Sequence, residues 1–268
     1  HNPPGIAGIE AAREALPDVP HVAVFDTAFF ATLPPQAYTY ALDSELAKAH
    51  GIRKYGFHGT SHSYVSRKVA EVLGRDYSSL NQIVCHLGNG ASISAIRGGV
   101  AVETSMGLTP LAGLVMGTRS GDVDPGLHAF LGRTLGLDLA GVDNLLNKKS
   151  GMLGLCGATD FRDINDLIEE GDAAADLAMD VYVHRLVSYI GSYLAVLGGV
   201  DVLTFTAGVG ENDPVVRSRV LERLAPLGFV MDAAANGVRS KEPRIISVPG
   251  SPVTVMVVPT NEELAMAR

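Results

Sequence analysis

Apolar residues recur with two different spacings along the chain, and the alternation of these spacings predicts an α/β fold. Short runs of β-branched and other apolar residues predict strands at residues 21–25, 82–85, 91–96, 202–206 and 253–258. Apolar residues three and four positions apart predict helices at residues 60–73 and 173–197, a helix that starts at residues 212–214, and a final helix from residue 262.

Polar residues and glycines mark the ends of these elements. Thr60 or Ser61 is a candidate N-cap of the first predicted helix, and Gly74 is placed to end that helix. An Asn-Gly pair between the second and third predicted strands indicates a hairpin. Gly208 and Gly210 predict a turn between the fourth strand and the helix that follows it.

The composition is that of a globular protein with a sizeable core. The 268 residues are 47% hydrophobic and 19% charged, with a formal net charge of −8. No basic stripe indicates a nucleic-acid surface, and no apolar run reaches the roughly 20 residues of a membrane span. Cys85 and Cys156 lie far apart, which disfavours a disulfide framework or a zinc site and favours a reducing cytoplasm. The chain opens on His1 rather than Met, and we interpret it as a segment of a longer protein.

Two glycine-rich segments that follow strands are candidate phosphate sites. Glycine lets backbone N–H groups approach phosphate oxygens closely. The segments are residues 86–90 (HLGNG) and 207–212 (AGVGEN), and the second leads into a helix N-terminus with its partial positive charge. The sequence has no P-loop pattern GxxxxGK[ST]. For each segment, the alternative is a purely structural turn.

A transferring phosphoryl group also requires cationic or hydrogen-bond-donating side chains. Arg119 lies in a polar, turn-rich stretch and is a candidate clamp, the alternative being a loop arginine paired with a nearby aspartate. His58 and His62 have the i, i+4 spacing of a zinc pair, but Gly59 stands where a metalloprotease has its glutamate. We therefore favour an imidazole that donates to phosphate oxygens, with a capping or packing histidine as the alternative.

Three carboxylates complete the set of candidates. Asp26 ends the first predicted strand, which is a common place for chemistry in α/β folds, although an aspartate that forms a turn fits equally well. Glu262 and Glu263 open the final helix, where acidic residues favour the helix dipole. One of them is instead a candidate ligand for the Mg²⁺ that accompanies ATP.

Eight segments of the chain together resemble the acetate kinase family. They occur in the order of the family, span nearly the whole chain, and include motifs as long as GFHGTSH and MGTRSGDVDP. The segments are residues 1–4 (HNPP), 25–30 (FDTAFF), 55–62 (YGFHGTSH), 86–90 (HLGNG), 116–122 (MGTRSGD), 160–163 (DFRD), 205–212 (FTAGVGEN) and 259–264 (PTNEEL). The resemblance implies a ribonuclease-H-like fold of the actin and Hsp70 ATPase type, with two lobes and ATP in the cleft between them.

The resemblance also implies a role for each candidate residue. Asp26, His58 and Arg119 are implied to be catalytic, and Glu262 to hold Mg²⁺ or Mn²⁺. Residues implied to bind ATP or ADP are His86, Leu87, Gly88, Asn89, Gly90, Asp160, Phe161, Arg162, Gly208, Val209, Gly210, Glu211 and Asn212. Residues implied to line an apolar pocket for the methyl group of acetate are Phe57, Pro110 and Leu111.

The family pattern further implies how the chain is divided. Residues 1–28 would end the first lobe, residues 29–258 would form the second, nucleotide-binding lobe, and residues 259–268 would begin a C-terminal helix that returns to the first lobe. The opening strand of the family, its Asn-Ala-Gly-Ser-Ser-Ser phosphate loop and an arginine for the substrate carboxylate are expected before His1 and are not in this sequence. The family also implies a homodimer.

The implied reaction is direct, reversible, in-line transfer of the γ-phosphoryl group of ATP to acetate, which gives acetyl phosphate and ADP. Propionate or butyrate kinase activity is an alternative within the class, because one methylene in a pocket is worth only about 1–3 kcal/mol. Two alternatives outside the class are a non-catalytic ATP-binding lobe and an Hsp70-like ATPase that clamps a protein partner.

Overall fold

A six-stranded mixed sheet lies at the centre of the computed structural model, which describes residues 2–267, so that His1 of the opening motif lies outside the described residues. The strands are β1 Asn81–Leu87, β2 Ala91–Arg97, β3 Val100–Thr104, β4 Val202–Thr206, β5 Arg244–Ile245 and β6 Thr254–Val257. Their order across the sheet is β3-β2-β1-β4-β6-β5. Strands β1, β4 and β6 are parallel, and β2 is antiparallel to both of its neighbours. This order and these directions agree with the ribonuclease-H-like fold expected from the sequence.

Helices cover both faces of the sheet and fill the connections from β3 to β4 and from β4 to β5. They are α1 Asn2–Ala15, α2 Pro35–Tyr38, α3 Ser44–Ala49, α4 Gly59–Leu73, α5 Leu127–Leu135, α6 Leu139–Lys148, α7 Gly151–Cys156, α8 Phe161–Glu169, α9 Ala173–Leu197, α10 Ala207–Asn212, α11 Pro214–Leu224, α12 Ala233–Gly237 and α13 Glu262–Ala267. Short 3-10 helices lie at Ala28–Thr32, Tyr77–Ser79 and Ala225–Leu227. None of the helices described over residues 2–267 has the length and apolarity needed to cross a bilayer.

Strand β1 shows how its two faces are used. Ile83 and Cys85 belong to the larger core cluster, which includes α9, whereas Val84 packs with Val65 and Val69 of α4. Successive side chains of a strand point to opposite faces, so His86, two positions after Val84, also faces α4. Full burial of one such apolar side chain contributes about 1.5–3 kcal/mol. The sheet is therefore anchored from both sides.

The predicted bounds of the longest helix are confirmed. Helix α9 begins after Asp172, whose carboxylate accepts hydrogen bonds from the N–H groups of Ala174 and Ala175 at 2.8 and 2.9 Å. It ends at Gly198, which has a positive φ of 72°. The predicted hairpin and the strand at residues 202–206 are also confirmed.

The strand predicted at residues 21–25 is not formed. This segment is irregular and exposed: Val22 is 85% exposed and Phe25 is 69% exposed. No strand of the described residues 2–267 lies beside it. Because a strand is stabilised by hydrogen bonds to a neighbouring strand, an apolar run without such a partner stays irregular.

The turn predicted at Gly208 and Gly210 is a short helix, α10. Ala207 at its start has a positive φ of 65°, and its N–H donates to the Glu211 carboxylate at 2.8 Å. The Asn212 side chain donates to the carbonyl of Gly208 at 2.9 Å. These two local contacts close a helical turn in spite of the low helix propensity of glycine, which explains why the sequence pattern indicated a turn.

Candidate active site

Helix α4 is capped by Asp26, which lies 32 residues before the helix N-cap residue His58. One carboxylate oxygen of Asp26 accepts from the His58 N–H at 2.5 Å, and the other accepts from the Thr60 N–H at 3.4 Å. The backbone carbonyl of Asp26 accepts from the Gly59 N–H at 2.8 Å. The prediction that Thr60 or Ser61 caps this helix is wrong, because the capping oxygens come from a distant carboxylate, which also suits the positive end of the helix dipole.

The ring of His58 is held by Ser92 and His86. Its Nδ1 lies 2.9 Å from Ser92 Oγ, and it stacks on the His86 ring with 4.2 Å between the centroids. Burial lowers the pKa of His58; the charge of Arg119 acts in the same direction and that of Asp26 in the opposite one. Burial, with a smaller effect of His58, lowers the pKa of His86 to about 3. Both imidazoles are therefore neutral near pH 7.

Arg119 and His58 reach the same space beside Gly90. A methyl group built on Gly90 would lie 3.3 Å from Arg119 Nη1 and 3.6 Å from His58 Nε2. Arg119 Nη1 also donates to the carbonyl of Pro110 at 3.3 Å. Across residues 2–267, no carboxylate forms an ion pair with Arg119, which excludes the loop-arginine alternative. The guanidinium charge is thus directed at a space that an anion could occupy.

The loop that carries Arg119 is fastened to helix α9. The Asp122 carboxylate accepts from the Gly113 N–H at 2.7 Å and from the Tyr189 hydroxyl at 2.5 Å. Arg185 donates to the carbonyls of Gly113 and Asp122 at 3.1 and 3.2 Å. Because α9 is packed on the sheet, these contacts fix both ends of the loop and hence the position of Arg119.

The two glycine-rich segments lie next to each other, at the ends of the neighbouring parallel strands β1 and β4. In the first segment, the Gly88 N–H donates to the carbonyl of Gly90 at 3.1 Å, and the Asn89 carbonyl accepts from the loop N–H of Gly117 at 2.9 Å. A methyl group on Gly88 would lie 3.9 Å from the Ala207 side chain. His86 and Leu87 of this segment are the last residues of β1 rather than part of the turn.

The predicted metal ligand Glu262 lies at the start of α13, near Asp26. Burial and, to a smaller degree, the negative charge of Asp26 raise the pKa of Glu262. Glu262 is half-buried, whereas Glu263 is exposed. The half-buried Glu262 carboxylate suits Mg²⁺, which usually binds one or two carboxylates together with substrate phosphates. The residues present therefore fit this ion.

The residues predicted to flank adenosine are less closely grouped. Asp160 and Arg162 form an exposed ion pair at 2.5 Å, whereas Phe161 is buried and its ring packs on Tyr182 at 4.9 Å between centroids. The Phe161 ring therefore belongs to the core, and only its backbone is free to contact a ligand. Asn165 of α8 donates to the carboxylate of Asp213 at 2.9 Å and so links α8 to the segment that follows α10.

The predicted substrate pocket is made of residues that also support the core. Phe57 packs against the main core cluster. Leu111 packs against a satellite cluster of Leu131, Val142 and Leu146. Pro110 reaches the site through its carbonyl, which accepts from Arg119.

Hydrogen-bonding residues around the histidines were missed by the sequence analysis. Ser61 Oγ lies 2.8 Å from His86 Nδ1 and 2.8 Å from Thr260 Oγ1, and Ser92 Oγ lies between two imidazoles. The i, i+4 histidine pair was the one available signal, and the sequence interpretation of it, as a donor to phosphate oxygens rather than a zinc pair, named no partner for either ring. Ser92 and Ser94 alternate along β2, and nothing in the sequence around them indicates that their hydroxyls contact histidine rings.

The family assignment agrees over the whole length of the chain. The sequence profile of the acetokinase family matches residues 1–268. An acetate kinase of Leifsonia xyli is 60% identical over 268 residues, which are 100% of this chain and 68% of that protein. The chain spans about two thirds of the length of the relatives that it matches.

Two solved structures have the same fold as the chain. The acetate kinase of Porphyromonas gingivalis has a TM-score of 0.96 and 50% identity, with 100% of this chain and 67% of that chain covered. A propionate kinase of Francisella tularensis has a TM-score of 0.94 and 45% identity, with 100% of this chain and 68% of that chain covered. The chain therefore belongs to the acetokinase family, whose fold is that of the actin and Hsp70-like ATPases.

Proposed function

We propose that the protein is an acetate kinase, which transfers the γ-phosphoryl group of ATP to acetate and runs the reverse reaction from acetyl phosphate and ADP. The observation that carries this proposal is the convergence of Arg119 Nη1 and His58 Nε2 on the space beside Gly90. Arg119 supplies a positive charge that no carboxylate of residues 2–267 pairs with, and His58 supplies a neutral imidazole. Together with the two neighbouring glycine-rich segments, they suit an anion whose charge is spread over several oxygens.

The chemistry is direct in-line transfer. Arg119 neutralises charge on the equatorial oxygens of the transferring group, and His58 donates a hydrogen bond to it through Nε2. Glycine-rich residues 86–90 hold the outer phosphates through backbone N–H groups. Asp26 acts through position, because its carboxylate holds the backbone of His58 at the start of α4. Fixing both reactants in this way reduces the barrier without a covalent intermediate.

Glu262 is the residue proposed to hold Mg²⁺ or Mn²⁺. There it would hold a cation that would supply neutralisation of phosphate charge. Residues 208–212 of α10 and the α8 residues Asp160 and Arg162 are proposed to flank the adenosine. Phe57, Pro110 and Leu111 are proposed to line the acetate pocket. We also propose that the protein works in the cytoplasm as a homodimer.

Propionate is the second candidate acceptor, since a propionate kinase has the same fold at 45% identity. The two acids differ by one methylene, which a pocket distinguishes by about 1–3 kcal/mol, or roughly 10- to 200-fold. Comparison of kcat/KM for acetate, propionate and butyrate in one preparation decides between them. A preference for acetate of about tenfold or more supports the proposal, and a preference for propionate replaces the acceptor but leaves the reaction class.

The reaction class is tested by trapping acyl phosphate with hydroxylamine. The intact protein, given Mg-ATP and acetate, should form acetyl hydroxamate and ADP in equal amounts. Release of ADP without hydroxamate, stimulated by peptides, would favour the Hsp70-like alternative. Binding of ATP with no release of ADP would favour a non-catalytic module.

A further inference from the structure

A second histidine lies behind the proposed donor and has no role in the mechanism given above. His62 is on helix α4, one turn after His58, and its side chain is buried at 0% exposure. Burial, followed by the neighbouring His86 and His58, lowers its pKa well below the ordinary value. A fully buried imidazole that is neither a metal ligand nor a packing residue alone requires hydrogen-bond partners for both of its nitrogens.

Both partners of His62 are serines of strand β2. His62 Nε2 lies 2.8 Å from Ser92 Oγ, and His62 Nδ1 lies 2.8 Å from Ser94 Oγ. Ser92 Oγ also lies 2.9 Å from His58 Nδ1. Ser92 and Ser94 are two positions apart on one strand and therefore face the same side of the sheet. The four side chains form a continuous row that ends at the site-facing His58 Nε2.

The row has only two possible directions of donation. A serine hydroxyl carries one proton, so Ser92 can donate to only one of the two imidazoles and must accept from the other. If Ser92 donates to His58 Nδ1, then His62 Nε2 carries a proton and His62 Nδ1 accepts from Ser94. If Ser92 donates to His62, every bond reverses and His58 Nε2 is left as a bare acceptor. The tautomers of the two histidines are thus coupled.

The proposed function selects the first direction. His58 is neutral near pH 7, and a neutral imidazole donates through Nε2 only when Nδ1 carries no proton, the state that a hydrogen bond donated to Nδ1 favours. The row ends at Ser94, which is fully buried and, within residues 2–267, makes no further side-chain hydrogen bond. A row without an outlet to solvent cannot carry a proton away, so its effect is to set the tautomer.

We infer that Ser92, His62 and Ser94 are positioning residues that hold His58 in the Nε2–H tautomer and aim this N–H at the transferring phosphoryl group. This inference rests on the proposed function for its direction, whereas the row itself rests on the distances. Without the row, nothing would fix which ring nitrogen of His58 carries the proton, and a bare nitrogen would be able to face a phosphate oxygen.

The tautomers are measured by long-range ¹H–¹⁵N correlation spectra of the histidine rings of the intact protein near pH 7. We expect His58 and His62 both to be neutral, with a proton on Nε2 and none on Nδ1. A proton on Nδ1 of either ring, or a charged His58, overturns the inference. This reading does not depend on turnover, so a protein that forms no acetyl phosphate would refute the proposed function but leave the tautomer test intact.

The effect on catalysis is measured with Ser92→Ala and Ser66→Ala. Ser66 is also a fully buried serine, but its hydroxyl contacts Ser63 and Tyr77 outside the row. Outer partners that fix the tautomer of a metal-bound histidine are typically worth about 10- to 100-fold in activity, and we take the same scale for His58. We expect kcat of Ser92→Ala to fall by about that factor with the KM for ATP within about twofold, and Ser66→Ala to keep its kcat. A Ser92→Ala kcat within about twofold of the unmodified protein overturns the inference.

Discussion

Replacing Gly59 by alanine should damage both stability and catalysis, although the change adds a single methyl group. The added Cβ would lie 2.2 Å from the carbonyl oxygen of Asp26 and 3.1 Å from the side chain of Phe29. The first distance is far inside van der Waals contact with backbone, so Asp26 and the start of α4 must separate. That movement breaks the contacts between Asp26 and the first residues of the helix.

The size of the effect follows from the bonds that are lost. The Gly59 N–H to Asp26 carbonyl bond of 2.8 Å is between neutral groups and is worth about 0.5–1.5 kcal/mol. The His58 N–H to Asp26 carboxylate bond of 2.5 Å involves a charged acceptor and is worth about 1.5–3 kcal/mol. We therefore expect the free energy of unfolding to fall by about 2–4.5 kcal/mol. Because His58 moves with the backbone, kcat should fall by about 10²-fold.

The matched control is Gly191→Ala. Gly191 lies inside α9, and a methyl group built on it has no atom within 4 Å. Alanine inside a helix is favoured over glycine by roughly 0.5–1 kcal/mol, so this variant should be slightly more stable with unchanged kcat. Urea unfolding of both variants, with the slope of the transition compared, gives the free energies. A Gly59→Ala protein within about 0.5 kcal/mol of the unmodified protein and with normal kcat would refute the proposed coupling of Asp26 to His58.

Three further outcomes are expected. Arg119→Ala should lower kcat by about 10²–10³-fold, whereas ATP binding, measured by calorimetry, should survive. The control is Arg133→Ala, because Arg133 is exposed. Equal kcat values for the two variants would remove Arg119 from the mechanism. Arg217 is 1% exposed and donates to the Gly210 carbonyl at 2.9 Å. Arg217→Ala should cost about 1–3 kcal/mol for that buried acceptor left unpaired and raise the KM for ATP, whereas an unaltered KM would separate Arg217 from α10. Burial lowers the pKa of His86 to about 3, below the unfolded value near 6.5, so the unfolded chain binds more protons between these pH values. The free energy of unfolding should therefore fall as pH drops from about 6.5 towards 3, by up to about 1.4 kcal/mol per pH unit. Urea unfolding of His86→Gln at several pH values should show a flatter pH dependence, and an unchanged dependence would contradict the assignment.

Features whose cause is local were predictable from the sequence. Helix α9 has its cap, its apolar stripe and its terminal glycine within the same 27 residues from Asp172 to Gly198, so its bounds follow from spacing alone. Strand β4 and the capped start of α11 at Asp213 are of the same kind. The segment at residues 21–25 has the composition of a strand but no neighbouring strand within residues 2–267, and pairing is not encoded in the segment itself.

The candidate site depends on contacts between segments far apart in the chain. Asp26 was selected as a carboxylate at a strand end, yet the structure places it as the cap of a helix that begins 33 residues later at Gly59. Local propensity pointed to Thr60 and Ser61, because it considers only oxygens close in sequence. A cap supplied from elsewhere is visible only once the fold brings the two segments together, so the identity of the residue was predictable and its manner of action was not.

The chemistry that a histidine pair can perform depends on the surface that faces it. His58 and His62 at i, i+4 lie on one face of α4, and the sequence could say only that two imidazoles lie close together there. Whether such a pair binds a metal or a row of hydrogen-bonding side chains depends on the residues that contact that face of the helix. Here the contacting residues are Ser92 and Ser94 of β2. Hydroxyls bind neutral imidazoles and fix their tautomers, whereas a zinc site would need further ligands, and residues 2–267 contain no group of three or more His, Cys, Asp or Glu side chains suited to a metal. In the proposed arrangement the same i, i+4 motif therefore serves proton placement, because strand β2 supplies hydroxyls to both rings.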